Sequence, residues 1–436
     1  MTEATASERR WGAGVLSKWS DRGRAHLRVH MRPAIWSGVR RLVSGALVLL
    51  FFSGCVTRPA ARISLEGLAI SPREQAQRNL HVFDVVWDLV NRKHYDVNLG
   101  GLDWQEAAAV HGEAAAMASD ERALYRVLNA LLAPLGDSHT HAITPAQVVE
   151  RRNRERARTG FYLTRVEDAW SVQDVLPGSP AAMAGVQAGW LAVARNGEPL
   201  GVQIDFNPAD GEVALWDFLD GYNAPIRLAL AAKRLPTVAQ QVFKRLADGF
   251  IYLRFDEFSG VDRRWFSRQL SEHYGAPGVV IDLRRNSGGE TFSLGISVGE
   301  FFDHPVDCGA FIGRDHVRRV KNSWQLGSAN YRGQVVILVD GATGSAAEIF
   351  AAVLQYHGRA VVVGRRTAGA VLASWFHRLP DGGQLQLSRE DYVAPSGHRL
   401  EGRGVEPDVV VARSLDDLRN GRDRDLQEAL RILRER

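Results

Sequence analysis

A serine at the start of a helix is the first residue of this chain that could do chemistry. Residues 335–339 form an apolar run that predicts a buried strand, and a Gly-rich turn and an amphipathic helix follow it. Ser345 lies at that turn, beside free backbone N–H groups and the positive end of the helix dipole. Those groups could stabilise an oxyanion, but serine is also a preferred N-cap residue. The segment alone therefore leaves a nucleophile and a capping serine both open.

A second predicted strand, residues 279–283, ends in the glycine-rich stretch DLRRNSGG, which closes with Gly288 and Gly289. Paired glycines after a strand allow close backbone approach and expose N–H groups, although a tight turn alone would also explain them. The phosphate-binding pattern GxxxxGK[ST] is absent. Thr343 and Ala347 stand where a GxSxG elbow around Ser345 would need glycine, so the α/β-hydrolase interpretation fails.

Charge and composition favour an ordinary globular body rather than a nucleic-acid-binding protein. The 436 residues predict two or three domains, with 45% hydrophobic and 24% charged residues. Residues 1–54 hold nine Lys/Arg and three Asp/Glu, which leaves 45 basic and 47 acidic residues of the totals of 54 and 50. The body is thus nearly neutral, and we expect no nucleic-acid partner.

The N-terminal 55 residues predict a leader with a lipoprotein-type signal. Two arginines precede an apolar stretch at residues 42–52 that is too short to span a bilayer but fits a secretory signal. Small residues followed by Cys55 resemble a bacterial lipobox, which predicts lipidation of Cys55 and a place in the cell envelope, facing the periplasm or exterior. An ordinary signal peptide with an incidental cysteine is the alternative. Met31 is a second possible start, and Cys308 is predicted to be a core residue.

Beyond the leader, the patterns predict a tether at residues 56–73, a helical segment at 74–150, a β domain at 151–236, an α/β domain at 237–415 and a C-terminal helix at 416–436. Apolar runs predict buried strands of the α/β domain at residues 250–255, 279–283, 335–339 and 360–363. The charge run RRNRERAR at residues 151–158 predicts a solvated loop. The order of strands and turns after it resembles a PDZ domain of the bacterial protease type. The resemblance implies a carboxylate-binding loop whose peptide adds as a strand. Its residues would be Gly160, Phe161, Tyr162 and Leu163.

A series of motifs across the chain resembles the carboxyl-terminal-processing (tail-specific) and tricorn-type serine peptidases. The motifs are LGDSHT at residues 135–140, DLRRNSGG at 282–289, GSAAE at 344–348, GRRT at 364–367 and GVEPD at 404–408. The resemblance covers about residues 75–412. It implies an α/β, crotonase/ClpP-like catalytic domain with an N-terminal helical segment and an inserted PDZ-like β domain. It also implies peptide or protein substrates, and no cofactor.

The resemblance further implies which residues act. One version of the family uses a Ser–Lys dyad, but Ala370 stands where the lysine would be and no lysine follows Lys321. The tricorn-type version fits, with Ser345 as nucleophile, His139 as base, and Ser138 and Glu401 as supporting residues. Its oxyanion donors would be the N–H groups of Gly288, Gly289 and Ala346.

Several alternatives stay open beside these assignments. His141 would share a face with His139 in an extended segment, so only the motif separates them. Glu406 is the rival of Glu401, and Glu348 is expected to be a carboxylate that favours the helix dipole. His357 would be too far from Ser345, and His377 and His398 are expected at the surface or lining a cleft. The sequence shows no cluster with metal-ligand spacing, so we expect no metal.

Overall fold

The structure is a computed structural model that describes residues 70–201, 208–237, 239–322 and 330–435. The predicted leader with Cys55, and the predicted tether up to residue 69, lie outside these residues. Residues 70–73, predicted as the end of the tether, form the first turn of a helix instead.

The described residues form helices and strands that are numbered in chain order. The helices are α1 (Ile70–Lys93), α2 (Trp104–Ala116), α3 (Glu121–Leu132), α4 (Pro145–Asn153), α5 (Pro180–Met183), α6 (Gly260–Glu272), α7 (Thr291–Gly299), α8 (Ala346–Tyr356), α9 (Leu415–Arg419) and α10 (Arg424–Glu435). The strands are β1 (His141–Ile143), β2 (Glu155–Arg158), β3 (Phe161–Val166), β4 (Ala169–Val175), β5 (Leu191–Arg195), β6 (Glu198–Pro199), β7 (Val213–Leu219), β8 (Pro225–Ala231), β9 (Lys233–Pro236), β10 (Gln241–Arg245), β11 (Ile251–Phe255), β12 (Gly278–Asp282), β13 (Asp307–Ile312), β14 (Val317–Lys321), β15 (Gln334–Val339), β16 (Val361–Gly364), β17 (Ala373–Arg378), β18 (Gln384–Val393) and β19 (Val409–Val410).

The central sheet has the order β10-β11-β12-β15-β16-β19 and is parallel except for the edge strand β10. Its strands are near-continuous apolar runs because helices cover both faces. Alternate side chains such as Ile281 and Ile337 pack toward α6, α7 and α8, whereas Val280 and Leu338 pack toward α10. The four strands predicted from apolar runs are thus present, each within one residue of the predicted bounds.

The carboxyl ends of β12 and β15 lie side by side, with Asp282 opposite Leu338. Each strand continues into one of the two glycine-rich turns, and α8 begins directly after the second. Because parallel neighbours end at the same edge, the fold brings the DLRRNSGG turn against Ser345.

A second sheet carries the segment with His139. Its order is β1-β18-β13-β14, and β17 pairs with β18 as the first strand of an antiparallel hairpin. The apolar faces of α1, α2 and α3 pack against Leu385 and Leu387 of β18. Since β1 pairs with β18, the turn before β1, which contains His139, is held next to β18.

A third sheet, with the order β3-β4-β5-β7-β8 and β6 paired to β5, lies within the segment predicted as the β domain. The Asn196-Gly197 turn joins β5 to β6 with positive φ at both residues, as predicted for a hairpin. The charge run at residues 151–158 is not a loop. It forms the end of α4 and strand β2, which pairs with β9 and closes the base of the insertion. Because side chains alternate along β2, Ala157 is buried on one face while Arg156 is exposed on the other.

Within the described residues, no helix is both long and apolar enough to cross a bilayer. Cys308 is a buried, unpaired residue, as expected, and burial raises the pKa of its thiol to about 12.

Candidate active site

Ser345 stands at the junction of β15 and α8 in a strained backbone conformation. Its φ of 53° and ψ of −122° differ from the extended conformation that a capping residue normally adopts. Such a conformation costs about 1–3 kcal/mol in a residue other than glycine and is found mainly at functional sites. The Glu348 carboxylate also accepts the Ser345 N–H, as in a capping box, so the geometry is compatible with a capping serine as well as with a nucleophile.

Glycine is required where the DLRRNSGG turn meets Ser345. A Cβ on Gly288 would lie 2.4 Å from the Cβ of Ser345, and the φ of Gly288 is +104°. The N–H of Gly288 donates to Asn286 Oδ1 at 2.9 Å, so its predicted role as an oxyanion donor needs correction in this conformation. Among the described residues, the N–H groups of Gly289 and Ala346 have no acceptor. These two remain available for an oxyanion.

Glu348 is fully buried one helical turn after Ser345. Its carboxylate makes several hydrogen bonds in addition to the expected interaction with the helix dipole. Its Oε2 accepts the N–H groups of Ser345 at 3.0 Å and Ala370 at 2.9 Å. Its Oε1 accepts the Gly369 N–H at 2.7 Å and the Thr367 hydroxyl at 2.5 Å. Burial raises the pKa of Glu348 above its usual value, and these hydrogen bonds offset the increase only in part. One carboxylate thus holds the start of α8 and the turn at residues 367–370 together.

His139, Ser138 and Glu401 come together although 262 residues separate the histidine from the glutamate. The Ser138 hydroxyl lies 2.6 Å from Nδ1 of His139. Glu401 Oε1 accepts the Ser138 N–H at 3.0 Å, and its Oε2 accepts the Val371 N–H at 2.9 Å. The Glu401 carboxylate therefore ties the histidine segment to the irregular segment that contains Val371.

Ser345 joins this group through the backbone. Its N–H donates to the Ala370 carbonyl at 2.8 Å, and the next residue, Val371, donates to Glu401. Among the described contacts no direct hydrogen bond joins His139 to Ser345. Catalytic hydrogen bonds are often long in a free enzyme and shorten when substrate binds.

Asp137 is a residue whose importance the sequence did not reveal. Its buried carboxylate contacts His94 Nε2 at 2.7 Å and accepts the His139 N–H at 2.9 Å. Thr140 contributes its N–H and its hydroxyl to the same carboxylate, and Ser388 contributes its hydroxyl. Although burial raises it, the hydrogen bonds from His94 and Thr140 lower the pKa of Asp137 to about 2. Asp137 thereby fixes the turn that presents Ser138 and His139. Its place in LGDSHT was the only signal.

The pKa of His139 lies below its usual value because burial disfavours the imidazolium, while the charges of Glu401 and Asp137 partly offset this. A histidine with a lowered pKa is neutral near pH 7, as a general base requires.

The rival residues lie elsewhere. His141 is in β1 opposite Gln386, and burial lowers its pKa too. Glu406 forms a surface ion pair with Arg366. His357 Nε2 lies 2.8 Å from the Asp307 carbonyl oxygen. His398 lines a separate cavity. None of these contacts brings a rival to Glu401 or Ser138.

The predicted peptide-binding residues lie at the start of β3, which is an edge strand of the third sheet. Phe161 is buried in the core of the β domain against Trp216 and Phe218. Tyr162 faces the catalytic domain, where the Arg285 guanidinium lies 4.8 Å from its ring centroid. Arg285 also pairs with Asp174 of β4 at 2.6 Å.

The chain resembles a family of peptidases and several known proteases. Residues 249–411 match the profile of peptidase family S41. A carboxy-terminal-processing protease of Bartonella bacilliformis is 26% identical over 326 residues, which cover 71% of this chain and 74% of that protein. A putative tricorn protease homolog 2 of Streptomyces coelicolor is 26% identical over 391 residues, covering 80% of this chain and 32% of that protein. The solved structure of a photosystem II D1 C-terminal processing protease shares the fold, with a TM-score of 0.56, 22% identity and coverage of 81% and 97% of the two chains.

Proposed function

We propose that this chain, whose residues 249–411 match peptidase family S41, is a serine endopeptidase that processes peptide or protein tails. Ser345 is the nucleophile and His139 the general base. The observation that carries this assignment is the continuous set of hydrogen bonds from Ser345 through Ala370, Val371 and Glu401 to the His139 segment.

The reaction follows from the positions of the groups. In the reactive tautomer, Nδ1–H of His139 donates to the Ser138 hydroxyl, which leaves Nε2 free to accept the Ser345 proton. The Ser345 oxygen attacks the peptide carbonyl, and the imidazolium returns the proton to the leaving amine. Water then attacks the ester with His139 again as base, which releases the acid and restores the serine. Glu401 and Asp137 stabilise the imidazolium that forms in both halves.

The oxyanion of each tetrahedral intermediate would bind the N–H groups of Gly289 and Ala346. Both are unused among the described residues, and Ala346 begins α8, where the helix dipole favours negative charge.

The β domain is assigned as a PDZ-like module that presents or gates peptide C-termini. The free edge of β3 is where a peptide would add as a strand. Tyr162 in that strand stacks on Arg285, and Arg285 precedes Asn286 in the turn that packs on Ser345. A peptide on β3 would therefore act on the oxyanion turn through Arg285.

We also assign the protein to the bacterial cell envelope, with Cys55 lipidated. Support comes from the leader sequence alone, because Cys55 lies outside the described residues.

The test is hydrolysis by the purified full-length chain of peptides with free or amidated C-termini, and of matched esters. Internal cleavage of the free-tail peptides, abolished in Ser345→Ala, supports the proposal. Cleavage of esters alone would favour an esterase or acyltransferase. Binding of peptides without any hydrolysis would favour a catalytically silent peptide-binding protein.

A further inference from the structure

A cavity of about 440 Å³ lies beside the turn that carries Glu401 and is lined by Leu400 and Arg403 of that turn. Its wall includes Ala352 and Tyr356 of α8 and the apolar side chains of Ala394, Leu400 and Val405. Its volume falls within the range of roughly 300–1,000 Å³ that is typical of small-molecule sites. The catalytic scheme above uses none of these side chains.

The polar groups at this cavity are mainly basic. Arg366 is neutralised by Glu406, and Arg399 pairs with Asp391 at 2.5 Å. Within the part of the chain that the structure describes, the Arg403 guanidinium has no acidic partner. An apolar wall beside an uncompensated guanidinium is complementary to a molecule with an apolar body and one carboxylate.

The cavity is connected to the catalytic group through one short turn. Leu400 and Arg403, which line the cavity, flank Glu401 and Gly402. The Gly404 N–H donates to the Leu400 carbonyl at 2.8 Å, and the Gly402 N–H donates to the Gly369 carbonyl at 2.8 Å. A Cβ on Gly404 would lie 2.5 Å from the Thr367 carbonyl oxygen, so the turn packs directly on the segment that Glu348 holds.

We propose that this cavity is a binding site for an apolar carboxylate, with its body against Ala352, Leu400 and Val405 and its carboxylate on Arg403. The bound molecule stabilises the turn at residues 400–404, which carries Glu401. Binding does not depend on proteolysis, so the site stands or falls separately from the proposed function.

The probes are decanoate, for a fatty-acid source, and acetyl-Leu-Leu-Leu, for a peptide chain end. Each is compared with its neutral amide by calorimetry on the full-length chain. We expect each carboxylate that fits to bind at least about tenfold more tightly than its amide, since the charge-assisted hydrogen bond is lost in the amide. Decanoate binding more tightly than the tripeptide identifies a fatty acid, and the reverse order identifies a chain end.

Two variants locate the binding. Arg403→Gln should weaken the carboxylates about tenfold and leave the amides unchanged, whereas Arg403→Lys should retain most of the preference. Ala352→Phe, which fills the cavity, should weaken carboxylate and amide alike. Decanoate should also slow hydrogen exchange at the Gly402 and Gly404 amides in the parent protein but not in Arg403→Gln.

Equal affinities of acid and amide in the parent would overturn the proposal. So would carboxylate binding that both Arg403→Gln and Ala352→Phe leave intact, because the ligand would then occupy another site. Unchanged thermal unfolding of Arg403→Gln, an exposed position, shows that a loss of affinity is not a loss of fold.

Discussion

Glu348 accepts the Ser345 N–H at 3.0 Å while it also accepts the N–H groups of Gly369 and Ala370. Ser345 and the segment at residues 369–371, whose Val371 N–H donates to Glu401, are therefore held by one buried carboxylate.

Replacing this carboxylate should damage both stability and activity. Glu348→Ala leaves the N–H groups of Gly369 and Ala370 and the Thr367 hydroxyl without an acceptor, whereas the Ser345 N–H keeps the Ala370 carbonyl. We therefore expect a loss of about 3 kcal/mol or more in the free energy of unfolding. Glu348→Gln turns an NH₂ group toward two donors and should also slow acylation of Ser345. Denaturant titration measures the first effect. Glu272→Ala, at an exposed position in α6, is the control and should change stability by less than about 0.5 kcal/mol.

The pH dependence of acylation should follow the lowered pKa of His139. Burial shifts its protonation below the usual value of 6.5, and only the neutral imidazole accepts the serine proton. The rate of Ser345 acylation should therefore fall to half its plateau at a pH below 6.5. Glu401→Gln removes a charge that raises this pKa, so its acidic limb should move to still lower pH. A limb above pH 6.5, or a shift upward in Glu401→Gln, would contradict this assignment.

Asp137 should make stability depend on pH in the acidic range. Its pKa falls from 3.8 to about 2 on folding, so the folded state favours the ionised carboxylate. Its contribution is fully present above the unfolded pKa and is lost as the pH falls through the folded value. By linkage this amounts to about 2 kcal/mol. Asp137→Asn should be less stable than the parent by at least this amount at about pH 7, and the gap should narrow between about pH 4 and about pH 2. An unchanged gap across that range would show that the carboxylate charge contributes nothing.

Arg285 should couple the β domain to the oxyanion turn. Arg285→Ala removes both the Asp174 ion pair and the stacking on Tyr162, so we expect acylation of Ser345 to slow by about tenfold. Asp174→Ala should act in the same direction, and the double variant should be less than additive because the two residues share one contact. Arg227→Ala breaks a surface pair with Asp217 in the same domain and is the matched control. If it slows acylation equally, the effect is not specific to Arg285.

The sequence predicted the parts of the structure that depend on local patterns. Apolar runs predicted β11, β12, β15 and β16 because parallel strands buried on both faces need such runs. Motif spacing pointed to Ser345 and His139. The assignment of their roles stays a prediction, since the geometry supports it without testing it.

What the sequence could not reveal depends on contacts between distant residues. The His94–Asp137 contact spans 43 residues, and a buried partner at that distance leaves no periodic signal. The predicted donor Gly288 is engaged by Asn286 only because the turn folds back on itself. The prediction of a loop for the RRNRERAR run was wrong, because its high charge hides the alternation of a strand. In β2 that alternation buries Ala157, exposes Arg156 and leaves Arg158 partly exposed.

The central claim, an activated Ser345 with His139 as its base, is tested most directly by the rate of fluorophosphonate labelling of the full-length protein. The parent, Ser345→Ala, His139→Ala and His141→Ala are compared, the last as a matched control two residues from the base. We expect rapid labelling of the parent and His141→Ala, and none above background in Ser345→Ala and His139→Ala. Labelling that persists in His139→Ala, or that is lost in His141→Ala instead, would contradict it.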